Sequence, residues 1–228
     1  MIADKKTFSK GFILMAAFMV VLVAMFMPLF NGHNGLQTMD NLYNSISKGS
    51  ANYIPKAAKA VEKISDKQAD FTIKLKSAEQ ADQVARLFNA GGGMVNVSAE
   101  TLKVSGDIIA MLTNCLADAK LMYENKGDAV QAKYGYEPRR VMYNWWQACS
   151  KMEEEFNKQS QFKKATAIHA VMTKAIEPAY NYFGVEAQNI KDRLGVVIFS
   201  LLFYVIYTMW YGFGILFMFE GWGLQLEH

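Results

Sequence analysis

Two long stretches without a charged residue stand near the ends of this 228-residue chain. The first covers residues 11–30 and contains 20 residues, and the second covers residues 194–219 and contains 26 residues. A hydrocarbon core about 30 Å thick requires roughly 20 apolar residues in a helix, because each helical residue adds about 1.5 Å. Both stretches are therefore long enough to cross a bilayer, and we predict two transmembrane helices.

The first stretch also has a competing interpretation, a cleaved signal peptide, because the basic residues Lys5, Lys6 and Lys10 precede it. However, its apolar run is longer than a usual signal-peptide core, and no small-x-small cleavage pattern follows it in MPLFNGHNG. We therefore expect this helix to be retained. At the other end of the chain, residues 226–228 can be native or the remnant of an expression tag.

The segment between the two stretches, residues 31–193, carries nearly all of the charge and is long enough for one compact domain. The flanking charges disagree about its location, since lysines precede the first stretch, while Lys191 and Arg193 precede the second and no Lys or Arg follows it. Long loops cross membranes largely regardless of charge, so the short N-terminal tail has more weight. We expect residues 1–10 in the cytoplasm of a bacterium and residues 31–193 outside its inner (plasma) membrane.

The pattern of apolar residues divides this segment further. Residues 31–69 are predicted to form membrane-proximal helices, from Leu36 to Gly49 and from Pro55 onward. Residues 70–127 contain three short runs in which apolar and polar residues alternate, and two segments with helical spacing. Their order along the chain is strand, helix, strand, strand, helix. This order predicts a small three-stranded sheet with helices on one face.

Helical spacing returns in residues 138–193, in two arms joined by the short sequence KQSQ at residues 158–161, which predicts a long antiparallel helical hairpin. Pro178 should kink or restart the second arm, and a helix from about Glu186 should run straight into the second apolar stretch. The predicted fold class is an α+β membrane protein. In it, two transmembrane helices flank a soluble domain made of the small sheet, its helices and the long hairpin, with a short tail at residues 220–228.

Hydroxyl-bearing residues recur along one side of the second apolar stretch. At about 100° per residue, one narrow stripe of that helix contains Ser200, Tyr204, Tyr207, Tyr211, Gly214 and Met218. A hydroxyl that faces hydrocarbon has no hydrogen-bond partner, so this stripe is predicted to face protein or a polar cavity. Packing against another helix is the preferred interpretation. The alternative is a groove for a quinone, haem or solute, which lacks the His ligands or ionisable residues usual for such a groove.

The first apolar stretch has two faces of interest. A face of small or modest residues, suited to close approach by another helix, contains Ala17, Val21, Ala24 and Pro28. On a different face, Met15 and Met19 form an MxxxM pair that resembles the methionine rungs of the high-affinity copper transporters, whose thioethers suit Cu(I). The resemblance covers two residues, and the GxxxG helix and third span of that family have no counterpart here. Because methionine is a common filler in apolar helices, we predict no metal or other cofactor.

Cys149 and His169 are the most suggestive pair in the central segment. If the hairpin turns near Gln159, residues ten before and ten after the turn face each other, and a Cys-His nucleophile is conceivable. Two such ligands fall short of the four in a structural zinc site, and packing in the hairpin core is the preferred role. Cys115 and Cys149 form no CxxC motif, and one disulfide between them is permitted but not established. The buried seam of the second arm is predicted to contain Phe162, Ala165, His169, Met172 and Ile176.

These features bear unequally on function. No nucleophile triad, metal quartet, paired buried carboxylates or nucleotide-binding loop is found, so an enzyme is the least favoured class. The net charge of +3 and the lack of a basic run with interleaved aromatics argue against nucleic acid as a partner. We expect a structural or accessory subunit of a membrane complex or homo-oligomer, with membrane lipid and other subunits as partners. The alternatives are an oligomeric channel or transporter for a neutral solute, and a sensor domain that signals through a partner.

Overall fold

The computed structural model of the protein describes residues 2–224, so residues 226–228 and the end of the predicted tail at 220–228 lie outside the described residues. In chain order the elements are α1 (Lys5–Phe26), α2 (Gly35–Ser50), α3 (Ile54–Glu62), β1 (Gln68–Lys74), α4 (Ala78–Ala90), β2 (Met94–Ser98), β3 (Thr101–Asp107), α5 (Ile108–Tyr123), α6 (Gly127–Tyr134), α7 (Pro138–Lys158), α8 (Phe162–Val171), α9 (Glu177–Asn181) and α10 (Leu194–Trp222). A π-helical turn, Met172–Ile176, separates α8 from α9, and a 3₁₀ turn, Ile190–Arg193, precedes α10. The fold is mostly helical with a small antiparallel sheet, as predicted.

The chain divides into two compact units. Unit 1 consists of Met1–Ser47 and Ala187–His228, and it contains α1, α10 and most of α2. Unit 2 is Lys48–Glu186 and contains the sheet and the remaining helices.

In unit 1, α1 and α10 are each long and apolar enough to cross a membrane. Only 11% and 6% of the residues in their most apolar 18-residue segments are buried. The helix α1 begins at Lys5, where Asp4 caps it, and it ends at Phe26. The helix therefore ends four residues before the predicted limit at residue 30. Met27, which precedes Pro28, has an extended conformation because the proline ring disfavours a helical one there. Pro28 lies beyond the helix and does not share a helical face with Ala24.

The three strands of unit 2 form one antiparallel sheet in the order β1-β3-β2. Because β1 and β2 both run antiparallel to the central β3, they are parallel to each other, and α4 connects them as the crossover of a split βαβ unit. Side-chain caps start the helices where the sequence predicts them. Ser77 Oγ accepts a hydrogen bond from the Gln80 amide at 3.2 Å, and Asp107 Oδ1 accepts one from the Ile109 amide at 2.8 Å.

The predicted helical hairpin is present as α7 and α8, with its turn at residues 159–161. The first arm buries the apolar residues that recur along it at steps of three and four, which are Met142, Trp145, Cys149, Met152 and Phe156. The predicted seam of the second arm is wrong at two positions, since Phe162 and His169 are exposed. The buried face instead includes Lys164, whose ammonium is hydrogen-bonded inside the fold, and counting apolar residues alone could not place a lysine there.

The chain from α6 onward differs from the prediction in two ways. The short helix α6 was not predicted. At Pro178 the second arm restarts as predicted, because a π-helical turn precedes α9 and Pro178 lies in the first turn of α9. The wider π-helical turn accommodates the ring of Pro178, which crowds the preceding turn and whose backbone nitrogen has no N–H to donate. The expected continuous helix from Glu186 into α10 is wrong, because residues 185–189 are not helical and Gly184 has a φ of +84°.

Candidate functional site

The antiparallel pair formed by α1 and α10 is the first candidate site. The amides of Ala3 and Asp4 both donate to the Gly221 carbonyl at 2.9 Å, which joins the start of α1 to the end of α10. Glycines allow the two backbones to approach closely. A Cβ on Gly11 would lie 2.6 Å from the Met218 backbone nitrogen and 2.9 Å from the Gly214 carbonyl oxygen. A larger residue at Gly11 would therefore force the helices apart.

Aromatic contacts extend this pairing toward the other end of α1. Phe18 is buried, and its ring stacks on Tyr207 at 4.3 Å between centroids and contacts Tyr211 at 5.2 Å. The indole N–H of Trp210 donates to the Leu14 carbonyl at 3.0 Å. The hydroxyl of Tyr207 is buried without a hydrogen-bond partner among residues 2–224, and the contact of this residue with α1 is made by its ring.

The structure brings only part of the predicted tyrosine stripe together. Tyr207, Tyr211 and Gly214 lie against α1, where Gly214 is buried beside Met15. Ser200 instead contacts α2, through a 2.5 Å hydrogen bond between its hydroxyl and that of Tyr43. Tyr204 is 67% exposed. The role of the full stripe in helix packing stays a prediction.

The predicted small-residue face of α1 is not the face that α10 covers. Ala17 is exposed, and Val21 and Ala24 are partly buried, whereas Gly11 and Phe18 are the buried residues of α1. The contact of Ala17, Val21 and Ala24 with a further helix therefore stays a prediction. The two methionines of the proposed pair have different surroundings. Met15 lies against Gly214, and Met19 is exposed. A copper site at Met15 and Met19 stays a hypothesis.

Unit 2 contains a buried carboxylate, Asp118, which no sequence pattern indicated. Its Oδ2 accepts hydrogen bonds from the Tyr134 hydroxyl at 2.5 Å and from the Trp145 indole N–H at 3.0 Å. Its Oδ1 accepts one from the Lys133 ammonium at 2.7 Å. The side chain is fully buried, so these three donors replace water around the carboxylate. Burial and the hydrogen bond to Asp118 raise the pKa of Tyr134, which keeps this phenol protonated.

The two cysteines lie in the core of unit 2 near this carboxylate. Both are buried free thiols, and Cys149 is a neighbour of Cys115. Burial, followed by the hydrogen bond with Cys149, raises the pKa of the Cys115 thiol well above its ordinary value. Since the thiolate is the nucleophilic form, Cys115 is poorly suited to nucleophilic chemistry.

The suggested Cys149 and His169 pair is not brought together in the hairpin. His169 is exposed, and its Nδ1 lies 3.2 Å from a carboxylate oxygen of Glu153, while Cys149 is fully buried. The count of ten residues on either side of the turn does not account for the rotation of each helix about its axis. That rotation turns His169 to the surface.

A second buried charge in unit 2, Lys48, was also missed. Its ammonium donates to the Val185 carbonyl at 2.6 Å, to Asn125 Oδ1 at 2.9 Å and to the Tyr182 carbonyl at 3.1 Å. Three acceptors match the three donors of an ammonium, so the group is fully satisfied. Desolvation lowers the pKa of Lys48, with the nearby Glu186 carboxylate acting in the opposite direction.

Comparisons with known proteins identify no relative: no family model, no curated protein and no solved structure matches this chain. Within residues 2–224, no group of three or more His, Cys, Asp or Glu side chains is placed to hold a metal ion.

Proposed function

We propose that the protein is anchored in a membrane by α1 and α10 and acts as a structural or accessory subunit of a membrane assembly. The observation that carries this proposal is the apolar surface of the helix pair. The pair buries a narrow glycine and aromatic seam, while large side chains point outward, including Val20 at 70% and Ile206 at 63% exposure. Burying one such side chain is worth about 1.5–3 kcal/mol, so a bilayer is the solvent that suits this surface.

The antiparallel arrangement supports a specific topology. Two spans place both chain ends on one side of the bilayer and residues 48–186 on the other. Lys5, Lys6 and Lys10 stand at the start of α1 and favour the cytoplasm for the ends of the chain. Unit 2 is then the extracytoplasmic domain.

The interior of unit 2 supports a structural role. Its buried charged groups, Asp118, Lys48 and Lys164, each bond to partners within the unit. Such internally satisfied groups stabilise one conformation of a domain. A domain of this kind is suited to present a fixed surface to a partner.

Labelling with a membrane-impermeant maleimide tests the anchoring and the topology. The wild-type chain is the background, because its two thiols are buried and should not react. In intact cells we expect labelling of Asp82→Cys, on the surface of unit 2, and labelling of Lys5→Cys only after the membrane is opened. Extraction of the protein by alkaline carbonate would refute the anchoring, and the reverse labelling pattern would refute the orientation.

The accessory role is tested by purification from native membranes followed by mass measurement in mild detergent. Subunits that stay in stoichiometric amounts, or a defined homo-oligomer, are the expected results. A monomer that changes the flux of a neutral solute in vesicles would favour a transport function instead.

A further inference from the structure

The sheet of unit 2 has two outer strands, β1 and β2, whose edges differ in what covers them. The hydrogen-bonding pattern of the ladder decides which backbone groups of the outer strands point away from the sheet. Along the β1-β3 ladder, the Leu75 amide donates to the Glu100 carbonyl and the Ile108 amide donates to the Lys67 carbonyl, both at 2.9 Å. These two pairs continue the antiparallel register of β1 and β3 by one residue at each end, so their residues lie directly opposite one another and mark hydrogen-bonded pairs.

Hydrogen-bonded pairs alternate along an antiparallel ladder, so Leu102 and Val104 also bond toward β1. The intervening residues of β3 then bond toward β2, where their partners are Met94, Asn96 and Ser98. The backbone N–H and C=O groups of Val95 and Val97 therefore point away from β3, at the outer edge of the sheet.

The edge of β1 is partly covered. The Gln68 carbonyl accepts a hydrogen bond from the Lys164 ammonium, and the Asp70 carbonyl accepts one from the Gln159 side-chain amide at 3.2 Å. Both donors come from the end of the hairpin formed by α7 and α8. A further strand cannot pair with β1 without displacing them.

The edge of β2 has none of these protections. Among residues 2–224, no hydrogen bond reaches the backbone of Val95 or Val97 from the outer side. The strand MVNVS contains no charge and no proline, and Val97 and Met94 are 39% and 69% exposed. Natural sheets usually protect an edge with charges, proline or a bulge, so an unprotected edge is a site for another strand.

We propose that β2 pairs antiparallel with β2 of a second copy of this chain, with the two-fold axis at Asn96. The order Val-Asn-Val is the same read from either side of Asn96, so this register places Val95 opposite Val97 of the second copy and pairs all five residues. The four outward groups of each strand then form about four N–H···O bonds. A register centred on Val97 would instead pair Ala99, which has a φ of +51° in the turn.

The side chains suit the same register. Val95 and Val97 lie on the face of the sheet that carries the buried Leu102 and Val104, so pairing covers the exposed part of Val97 and extends the core. Directly opposite β-branched residues stabilise a sheet. On the open face, Asn96 meets Asn96 of the second copy, and no like charges are opposed.

The inference rests on the proposed function and deepens it, because a shared membrane confines two copies to one plane and orientation. It names a second copy as the partner of unit 2. The sheet would then contain six strands.

Disulfide crosslinking of the full chain in membranes tests this pairing. Asn96 falls in a non-hydrogen-bonded pair, where Cα atoms are about 4.5 Å apart, within the range of about 4.4–6.8 Å for disulfides. Under mild oxidation, Asn96→Cys should give at least about tenfold more covalent dimer than the control Thr72→Cys, because pairing raises the effective concentration of the thiols. Thr72 is a matched control because, like Asn96, it is an exposed residue on an outer strand of the same sheet.

A second pair of variants separates pairing from misfolding. Adding Val97→Lys to Asn96→Cys should reduce the dimer to the level of Thr72→Cys, whereas the uncharged Val97→Thr should leave it high. Dimer at the control level for Asn96→Cys, or a crosslink to a different protein, would overturn the inference. Loss of the chain from the membrane fraction would instead refute the anchoring, so the two failures are distinguishable.

Discussion

The replacement Asp118→Ala should destabilise unit 2 strongly. It removes the acceptor for the Trp145 indole N–H and the Tyr134 hydroxyl, both of which are buried. Each buried donor left without a partner costs about 1–3 kcal/mol. The Lys133 side chain is 33% exposed and can turn to water, so its loss adds less. We expect a loss of about 3–5 kcal/mol of unfolding free energy, as for other broken buried ion pairs.

Urea denaturation of the full chain in a mild detergent, followed by tryptophan fluorescence, measures this effect. With a typical slope of about 2 kcal/mol per molar urea, a loss of 3 kcal/mol lowers the midpoint by about 1.5 M. Asp118→Asn keeps the size and one acceptor, so its midpoint should lie between those of the wild type and Asp118→Ala. The exposed Asp82→Ala is the control and should change stability by no more than about 0.5 kcal/mol. Equal midpoints for Asp118→Ala and Asp82→Ala would refute the reasoning.

Two further predictions concern the buried lysines. Lys48→Met keeps the apolar stem but removes the three hydrogen bonds of the ammonium, although each acceptor keeps one other donor. Because hydrogen bonds to a charged group are worth about 1.5–3 kcal/mol, it should cost about 2 kcal/mol in the same assay, while the exposed Lys59→Met should be near neutral. A midpoint unchanged in both variants would contradict the structural role of Lys48. The Lys164 hydrogen bond lowers the pKa of Asp66 from 3.8, so its stabilisation is present above pH 3.8 and is lost as the pH falls below it. Asp66→Asn should therefore differ from the wild type at pH 6 and converge with it below pH 3.8, and a constant difference would argue against this pair.

Local sequence chemistry predicted much of unit 2. The caps at Ser77 and Asp107 are hydrogen bonds within three residues, so the residue types alone indicate where α4 and α5 begin. The alternation in β1 was likewise readable, since one face of the strand is buried. The order of strands could not be read in this way, because the central position of β3 depends on pairings between distant segments.

The buried polar groups of unit 2 could not be predicted from local sequence patterns. Asp118 lies on a helix that is otherwise apolar on its inner face, and its partners Lys133, Tyr134 and Trp145 come from two other helices. A carboxylate is normally assigned to the surface unless a partner is known. His169 shows the opposite error, since a residue placed in the core by its spacing lies exposed beside Glu153.

The spacing of apolar residues within single segments was enough to predict the two long apolar helices, the alternating strands and the helical hairpin. The folded structure was needed to show which face of α1 meets α10, which polar groups are buried, and which edge of the sheet is open. These features depend on contacts between residues far apart in the chain. A charge can be buried, or an edge left unpaired, only according to what the rest of the fold places beside it.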